Sequence, residues 1–418
     1  MNMKIKTTDV IYREDLYPRS ETDPARVQAY AENLEVMPPI EINQNNILID
    51  GWHRWTAHKK MEVDLIGAVV TETPSESELY FLAIERNSKH GMQLSAADKR
   101  DKARGIYHAT PVKQRKEMKH RLASLFSVTN KTISAWLSRI DKDTKEQQKK
   151  QIFDLWLACH TQQEIAKRVG WTRDEIRGVL GNMENFPKSP QHTHTDNFQP
   201  PIYNVWKTQN KSNGVGHFGN TEAQWLDNLL YLYTDPFDIV IDPFAGGGST
   251  IDVCKKRGRR YWVSDRKPIV EREHEIRKHD VVVDGVAGPT HFTDVKFVYL
   301  DPPYWKQAEN KYSTDQTDLA NMDIDEFNKE LSSIIRAYAD KLKVGHIALV
   351  MQPTQWNAPG RRFFDHVGDM LRSVKLPVDM RYSVPYESQQ CTAQMVLWAK
   401  ENKRCLVLTR EIIVWRIS

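Results

Sequence analysis

Asp301, Pro302, Pro303 and Tyr304 follow an apolar run, VKFVYL, and lead into Trp305. The two prolines fix φ and lack N–H groups, so the turn is stiff and its carbonyls can face a ligand. Asp301 is a hydrogen-bond acceptor, and the Pro302 carbonyl is a second one. Tyr304 offers an aromatic face for stacking, and Trp305 a further wall. Two acceptors beside aromatic faces suit an amino group carried by a planar heterocycle. Upstream lies DPFAGGGST, Asp242 to Thr250. Gly246, Gly247 and Gly248 let the backbone turn sharply and approach a ligand closely, because no Cβ intervenes. Asp265 ends the next apolar run, YWV. An acid placed there can accept hydrogen bonds from both hydroxyls of a ribose.

These residues need a layered α/β scaffold to hold them, and the pattern supplies one. Ile239 to Ile241 reads as a buried strand, Ser249 to Arg257 as a helix and Tyr261 to Val263 as the next strand. Phe297 to Leu300 is then the fourth strand of the sheet in chain order, with its C-terminal end on the ligand edge. Ile324 to Leu342 predicts a helix, Ile347 to Met351 a strand, and Val396 to Ala399 with Leu406 to Leu408 late strands.

The glycine loop is not the GxGxxG of dinucleotide enzymes; DPFAGGGS resembles motif I of amino-methyltransferases. That resemblance implies S-adenosyl-L-methionine as cofactor, with Asp242, Phe244, Ala245, Gly246 and Gly248 around its methionine moiety and Asp265 on its ribose. Asp284, in VVVDG, is placed to meet its adenine, and GHFGNTEAQWLDNLL resembles the helix that precedes the motif. The DPPY of Asp301 to Tyr304 is similar to that of adenine-N6 DNA methyltransferases. The implied partner is double-stranded DNA, whose target base is extruded and stacked on Tyr304. Cytosine-N4 enzymes more often begin this motif with serine, so Asp301 favours adenine and leaves cytosine as the alternative. The polar stretch KQAENKYSTDQTDLANM reads as a mobile segment able to close over DNA. Asp301 follows Asp242 by 59 positions, which leaves no room between them for a target-recognition domain.

Upstream, residues 1–94 alternate short apolar and helical patterns, as in a small α+β domain. Asp23-Pro24 opens a helix towards Leu34, and Pro38-Pro39 an extended stretch. Ile47 to Ile49 and Leu65 to Val70 read as strands, with a helix at Gly51 to Lys60 between them. LYPR, PPI and ILIDGWHRWTAHKK resemble the N-terminal domain of ParB-like proteins, which shares its fold with sulfiredoxin. Gly51, Arg54, Trp55 and Ala57 match that family's nucleotide-handling box, while Trp52, His53 and Thr56 depart from it. Trp52 also stands where sulfiredoxin has its reactive cysteine, so that chemistry is unavailable. Glu85, Asn87 and His90 echo a second family stretch. Gly51 and Arg54 are therefore candidates for binding a nucleotide phosphate at a helix N-terminus. The competing reading packs Trp52 and Trp55 in the core and pairs Arg54 with a carboxylate.

Residues 95–186 read as helical, with helix-turn-helix-like units at Arg121 to Leu137 and Thr161 to Leu180. In the second, Thr161 and Glu164 form a capping box, Gly170 makes the turn and Thr172 caps the next helix. Ile165, Ala166, Val169, Ile176, Val179 and Leu180 face inward. The proline-rich residues 187–200 predict a linker in which His192 and His194 are solvated, and residues 201–418 a methyltransferase domain.

The chain has 418 residues, 40% hydrophobic and 27% charged, with a net charge of +4. This is a globular composition that permits nucleic-acid binding without demanding it. Its four cysteines lack metal-ligand or disulfide spacing, which suits a reducing cytoplasm and argues against a metal site. No apolar stretch reaches membrane-spanning length, and MNMKIKTTDV has no signal core. Nothing in the pattern sets an oligomeric state. A second functional class stays open: a ParB-like DNA-binding regulator with an idle catalytic domain.

Overall fold

The computed structural model describes residues 2–16, 24–88, 95–181, 188–207, 222–305, 314–353, 365–385 and 392–418. They form two compact units, Met1–Gln147 and Gln148–Ser418.

The first unit contains β1 (Asn2–Lys6), α1 (Pro24–Ala31), β2 (Ile40–Ile42), β3 (Leu48–Asp50), α2 (Trp52–Lys60), β4 (Leu65–Val70) and α3 (Glu76–Ser88). It continues with α4 (Ala96–Ala109), α5 (Arg115–Leu125) and the first part of α6 (Asn130–Leu157). The sheet order is β1-β4-β2-β3, with β2 parallel to β4 and the other pairs antiparallel. Ile40, Ile42, Leu48, Ile49 and Ala68 make its core together with Trp55 of α2. The helices after the sheet bury a separate cluster that includes Phe81, Ile106, Leu122 and Ile133. The first helix-turn-helix-like stretch corresponds to α5 and the start of α6.

In the second unit, the end of α6 is followed by α7 (Gln162–Val169) and α8 (Arg173–Leu180). Both expected caps are present as full capping boxes, Thr161 with Glu164 and Thr172 with Glu175, and Gly170 takes φ 77° between the helices. Ile165, Ile176 and Leu180 are buried against Ile152 of α6, with Ala166, Val169 and Val179 at the edge of the cluster.

Most of residues 188–200 are exposed, but His192 is half-buried and His194 buried, contrary to the expectation that both histidines are solvated. His194 is buried, and its Nε2 lies 3.1 Å from Asp227 Oδ1. Arg257 donates to both oxygens of Asp227, at 2.6 and 2.8 Å, and to Asp196 at 3.0 Å. Burial pushes the Asp227 carboxyl up, but the bonds from His194 and Arg257 outweigh it and hold the group well below the usual range. Charged partners, invisible in the local composition, are what make a buried histidine tolerable here.

The rest of this unit is α9 (Ala223–Tyr233), β5 (Ile239–Asp242), α10 (Ser249–Arg257), β6 (Arg260–Asp265), β7 (Ile276–Lys278), β8 (Val295–Leu300) and α11 (Ile324–Leu342). It closes with β9 (Gly345–Met351), α12 (His366–Val374), β10 (Val378–Pro385), α13 (Ala393–Glu401) and β11 (Thr409–Ile417). The seven strands are ordered β10-β11-β9-β8-β5-β6-β7. From β9 to β7 all pairs are parallel, while β11 is antiparallel to both β9 and β10. Helices α9 and α10 cover one face and α11 and α12 the other.

The strand expected at Val396 to Ala399 is instead part of α13, which Thr392 caps by accepting from Met395 N–H. Leu406 to Leu408 precede the last strand, β11, and β10 was not anticipated. A short apolar run such as MVLWA does not distinguish strand from helix by periodicity. Among the described residues, no helix is long and apolar enough to cross a membrane.

Candidate active site

Strand β5 pairs with β8 on one side and β6 on the other, so the strand order reverses at β5. Ligands bind in α/β sheets at such a switch point, outside the carboxyl ends of the strands. Ile241 is opposite Val298, so the segments beginning at Asp242 and Asp301 leave neighbouring parallel strands at the same edge. The two sequence motifs meet there.

Asp242 lies beneath the glycine loop, only 2% exposed. One carboxylate oxygen accepts Phe244 N–H at 2.8 Å and the other the Thr250 hydroxyl at 2.6 Å. Burial pushes its pKa up to about 7, against the pull of those two bonds and with Asp301 and Asp265 adding to the rise. Its contacts shape the loop from below. Ala245 is buried, and its N–H donates to the Ser264 carbonyl at 3.0 Å. Phe244 is half-buried against the core on the α11 face. Gly246, at φ 49°, donates its N–H to Asp265 Oδ2 at 3.0 Å, and Lys267 N–H reaches Asp265 Oδ1 at 2.8 Å. Two backbone amides thus aim a half-buried carboxylate at the end of β6.

Gly248 takes φ 81°, and a Cβ there would stand 2.8 Å from Arg272 Cδ. Arg272 also donates to the Gly248 carbonyl at 3.2 Å and pairs with Asp252. The close approach that requires this glycine is made by Arg272, which the sequence did not single out. Asp284 accepts from Asp280 N–H within its own turn at 3.1 Å and lies 3.7 Å from His279 Nδ1.

In the second motif Pro302 is buried, while Asp301, Pro303, Tyr304 and Trp305 are half-buried. Tyr304 Oη donates to Asp301 Oδ1 at 3.0 Å. Tyr304 packs on the α9 side of the sheet and Trp305 on the α11 side, so the two rings diverge. Trp305 Nε1 donates to the Met322 carbonyl at 3.1 Å, and its ring lies edge-on to His366. His366 bonds Asn328 at 3.0 Å, and burial pushes its pKa down to about 4. Arg410 of β11 was also missed. It is 8% exposed and holds its guanidinium 4.7 Å from the Tyr304 ring centre and 5.8 Å from that of Trp225. One basic residue near the start of an apolar strand gives no local signal of such a contact.

The polar stretch after the motif is divided. Residues 306–313 lie outside the described residues. Beyond them, Leu319 and Ala320 are buried, and Arg266 reaches Asp315 at 3.4 Å and Asp318 at 3.8 Å. That part is anchored, contrary to the expectation of a mobile segment.

In the first unit, Gly51 takes φ 103°, and a Cβ there would stand 2.7 Å from Ile40 Cγ2. Arg54 donates to the carbonyls of Pro38 and Pro39 at 2.9 and 2.6 Å and to Asp50 at 2.8 Å. Trp55 is buried, and Trp52 packs at the edge of the same core. These contacts correspond to the competing structural reading of the GWHRW segment. The side chain of Asn87 and the whole of His90 lie outside the described residues.

The second unit is thus a doubly wound α/β structure with half-buried Asp265 and Asp301 at the carboxyl ends of the strands flanking its switch point. Residues 76–271 match the N6_N4_Mtase family of DNA methylases, which indicates an enzyme of the DNA methyltransferase kind. The matched stretch includes the glycine loop and Asp265 and ends before Asp301. Among solved structures, a SAM-dependent methyltransferase from Archaeoglobus fulgidus is 12% identical over 47% of this chain and 94% of its own, with a TM-score of 0.28. The C-terminally truncated chromosome-partitioning protein ParB from Caulobacter crescentus complexed to the centromeric parS site is 12% identical over 44% of this chain and 92% of its own, with a TM-score of 0.23. The form complexed with CTP-gamma-S is 13% identical over 33% and 77%, with a TM-score of 0.20. No curated protein matches the sequence.

Proposed function

We propose that the chain is an S-adenosyl-L-methionine-dependent DNA methyltransferase that modifies adenine N6. The observation that carries this reading is the meeting of the Asp242 loop and the Asp301 motif on adjacent strand ends. Asp265 suits a ribose: a carboxylate offers about four lone-pair sites, and the Gly246 and Lys267 amides take two. Gly246 and Ala245 line the methionine end of the site. Bound there, S-adenosyl-L-methionine supplies an electrophilic methyl group.

The chain must position a weak nucleophile, because the N6 lone pair of adenine is delocalised into the ring. Asp301 accepts one N6 hydrogen and the Pro302 carbonyl the other, which favours a more tetrahedral nitrogen. The carboxylate also faces the positive charge that develops on N6 in the transition state. Tyr304 stacks on the extruded base, and its bond to Asp301 fixes the carboxylate's orientation. The helical segments upstream assist DNA binding.

Mass spectrometry of nucleosides from DNA incubated with the protein and cofactor tests the proposal. N6-methyl-2′-deoxyadenosine is the expected product. N4-methylcytosine would move the specificity to cytosine, and DNA binding without transfer would support the regulator reading instead.

A further inference from the structure

Arg410 carries a buried charge beside the Asp301 motif. It is 8% exposed and stands near the start of β11, where it pairs with Val384 of β10. Its guanidinium lies over the Tyr304 ring at 4.7 Å and over Trp225 of α9 at 5.8 Å. Tyr304 in turn bonds Asp301 at 3.0 Å. A chain of contacts therefore runs from α9 through β11 to the motif after β8. A planar cation on an aromatic face is attracted by the ring quadrupole, more strongly when both are withdrawn from water. Contact on one face of a ring restricts its tilt.

We propose that Arg410 is a positioning residue that backs Tyr304, fixing the tilt of its ring at the base subsite and keeping the Tyr304 hydroxyl on Asp301. This rests on the reading of the Asp301 motif as the base subsite. Arg410 touches neither cofactor nor reacting atoms. Its loss acts on the presentation of the base and leaves the Asp265 end of the site intact. Lysine would keep the charge without the planar stacking surface, so Arg410→Lys should recover only part of the effect.

The test uses the full chain, with tritium transfer from labelled S-adenosylmethionine to DNA and calorimetric titration of S-adenosylmethionine. Arg410→Met keeps much of the apolar stem packing. It should lower kcat on DNA at least tenfold, with cofactor affinity within twofold of the parent. The double variant Arg410→Met/Tyr304→Ala should be no worse than Tyr304→Ala alone, because the arginine acts through the tyrosine. Parent-like kcat in Arg410→Met overturns the proposal. So does loss of cofactor affinity in step with activity, or full additivity in the double variant. If the parent itself transfers no methyl group, the function reading falls and this proposal with it. If the parent is active and Arg410→Met equals it, only the role of Arg410 falls.

Discussion

Asp301 and Asp265 stand at the ends of two strands on either side of β5, and their different surroundings assign them different tasks. Asp301 is tied to an aromatic ring, Asp265 to two backbone amides. Asp301→Ala should abolish methyl transfer while cofactor binding persists, because its contact matters most in the transition state. Asp265→Ala should instead weaken S-adenosylmethionine binding more than DNA binding, by leaving ribose hydroxyls unpaired. Calorimetry with cofactor and transfer assays on DNA separate the two, and a swapped pattern would reverse the assignments. Asp242 differs from both because burial raises its pKa from 3.8 to about 7. The folded protein therefore holds this proton more tightly than the unfolded chain. The stabilisation is complete below about pH 3.8, falls as pH rises and is gone above about pH 7. Asp242→Asn is neutral at all these values and retains groups able to bond Phe244 and Thr250. Its urea midpoint relative to the parent should rise from pH 4 to pH 8; parallel curves would mean that Asp242 does not titrate in this window.

At the scale of elements, glycines with positive φ have different reasons for being glycine. Gly170, between α7 and α8, has nothing within 4 Å of a Cβ position. Gly170→Ala meets only the backbone penalty, about 1–2 kcal/mol for a left-handed residue. Gly248→Ala meets that penalty and must also displace Arg272 from 2.8 Å. Urea unfolding should show the larger loss at Gly248, together with weaker cofactor binding; equal losses would show that Arg272 gives way freely. Such elements were legible where local chemistry fixes their ends. Helices α10 and α11 run over the expected residues, from Gly248 and Asp323 as their respective N-caps. The capping box of α7 and the Thr172 cap of α8 were legible for the same reason. The motif residues were readable because prolines and glycines constrain the backbone wherever they occur. What escaped depends on partners distant in sequence: the burial of His194 by Asp227, the cover of Gly248 by Arg272 and the stacking of Arg410 on Tyr304. Strand β10 escaped because VDMRYSVP mixes charged and apolar residues, and α13 was read as a strand because a run such as MVLWA has no decisive period.

At the scale of the whole molecule, the compact division falls inside α6, between Gln147 and Gln148. The proline-rich stretch expected to act as a linker lies well inside the second unit. Leu157 and Ala158 are buried in the same cluster as Trp225 and Val240, and Arg260 stacks on Trp156 at 4.7 Å. His194 and Asp196 engage the Asp227–Arg257 pair. A fragment of residues 201–418 would lose these contacts and expose the apolar surface they cover. Fully burying a leucine-sized side chain alone contributes about 1.5–3 kcal/mol. Residues 148–418 should therefore fold cooperatively and bind S-adenosylmethionine, while residues 201–418 should unfold at markedly lower urea. Comparable midpoints would show that the preceding segment is dispensable for the catalytic fold. The same fragments address how DNA is held. Basic residues of the first unit that contact phosphates would release counterions on binding, so the full chain should show a steeper loss of DNA affinity with salt than residues 148–418. Equal salt slopes, with the same modified positions in DNA, would place all phosphate contacts within the second unit.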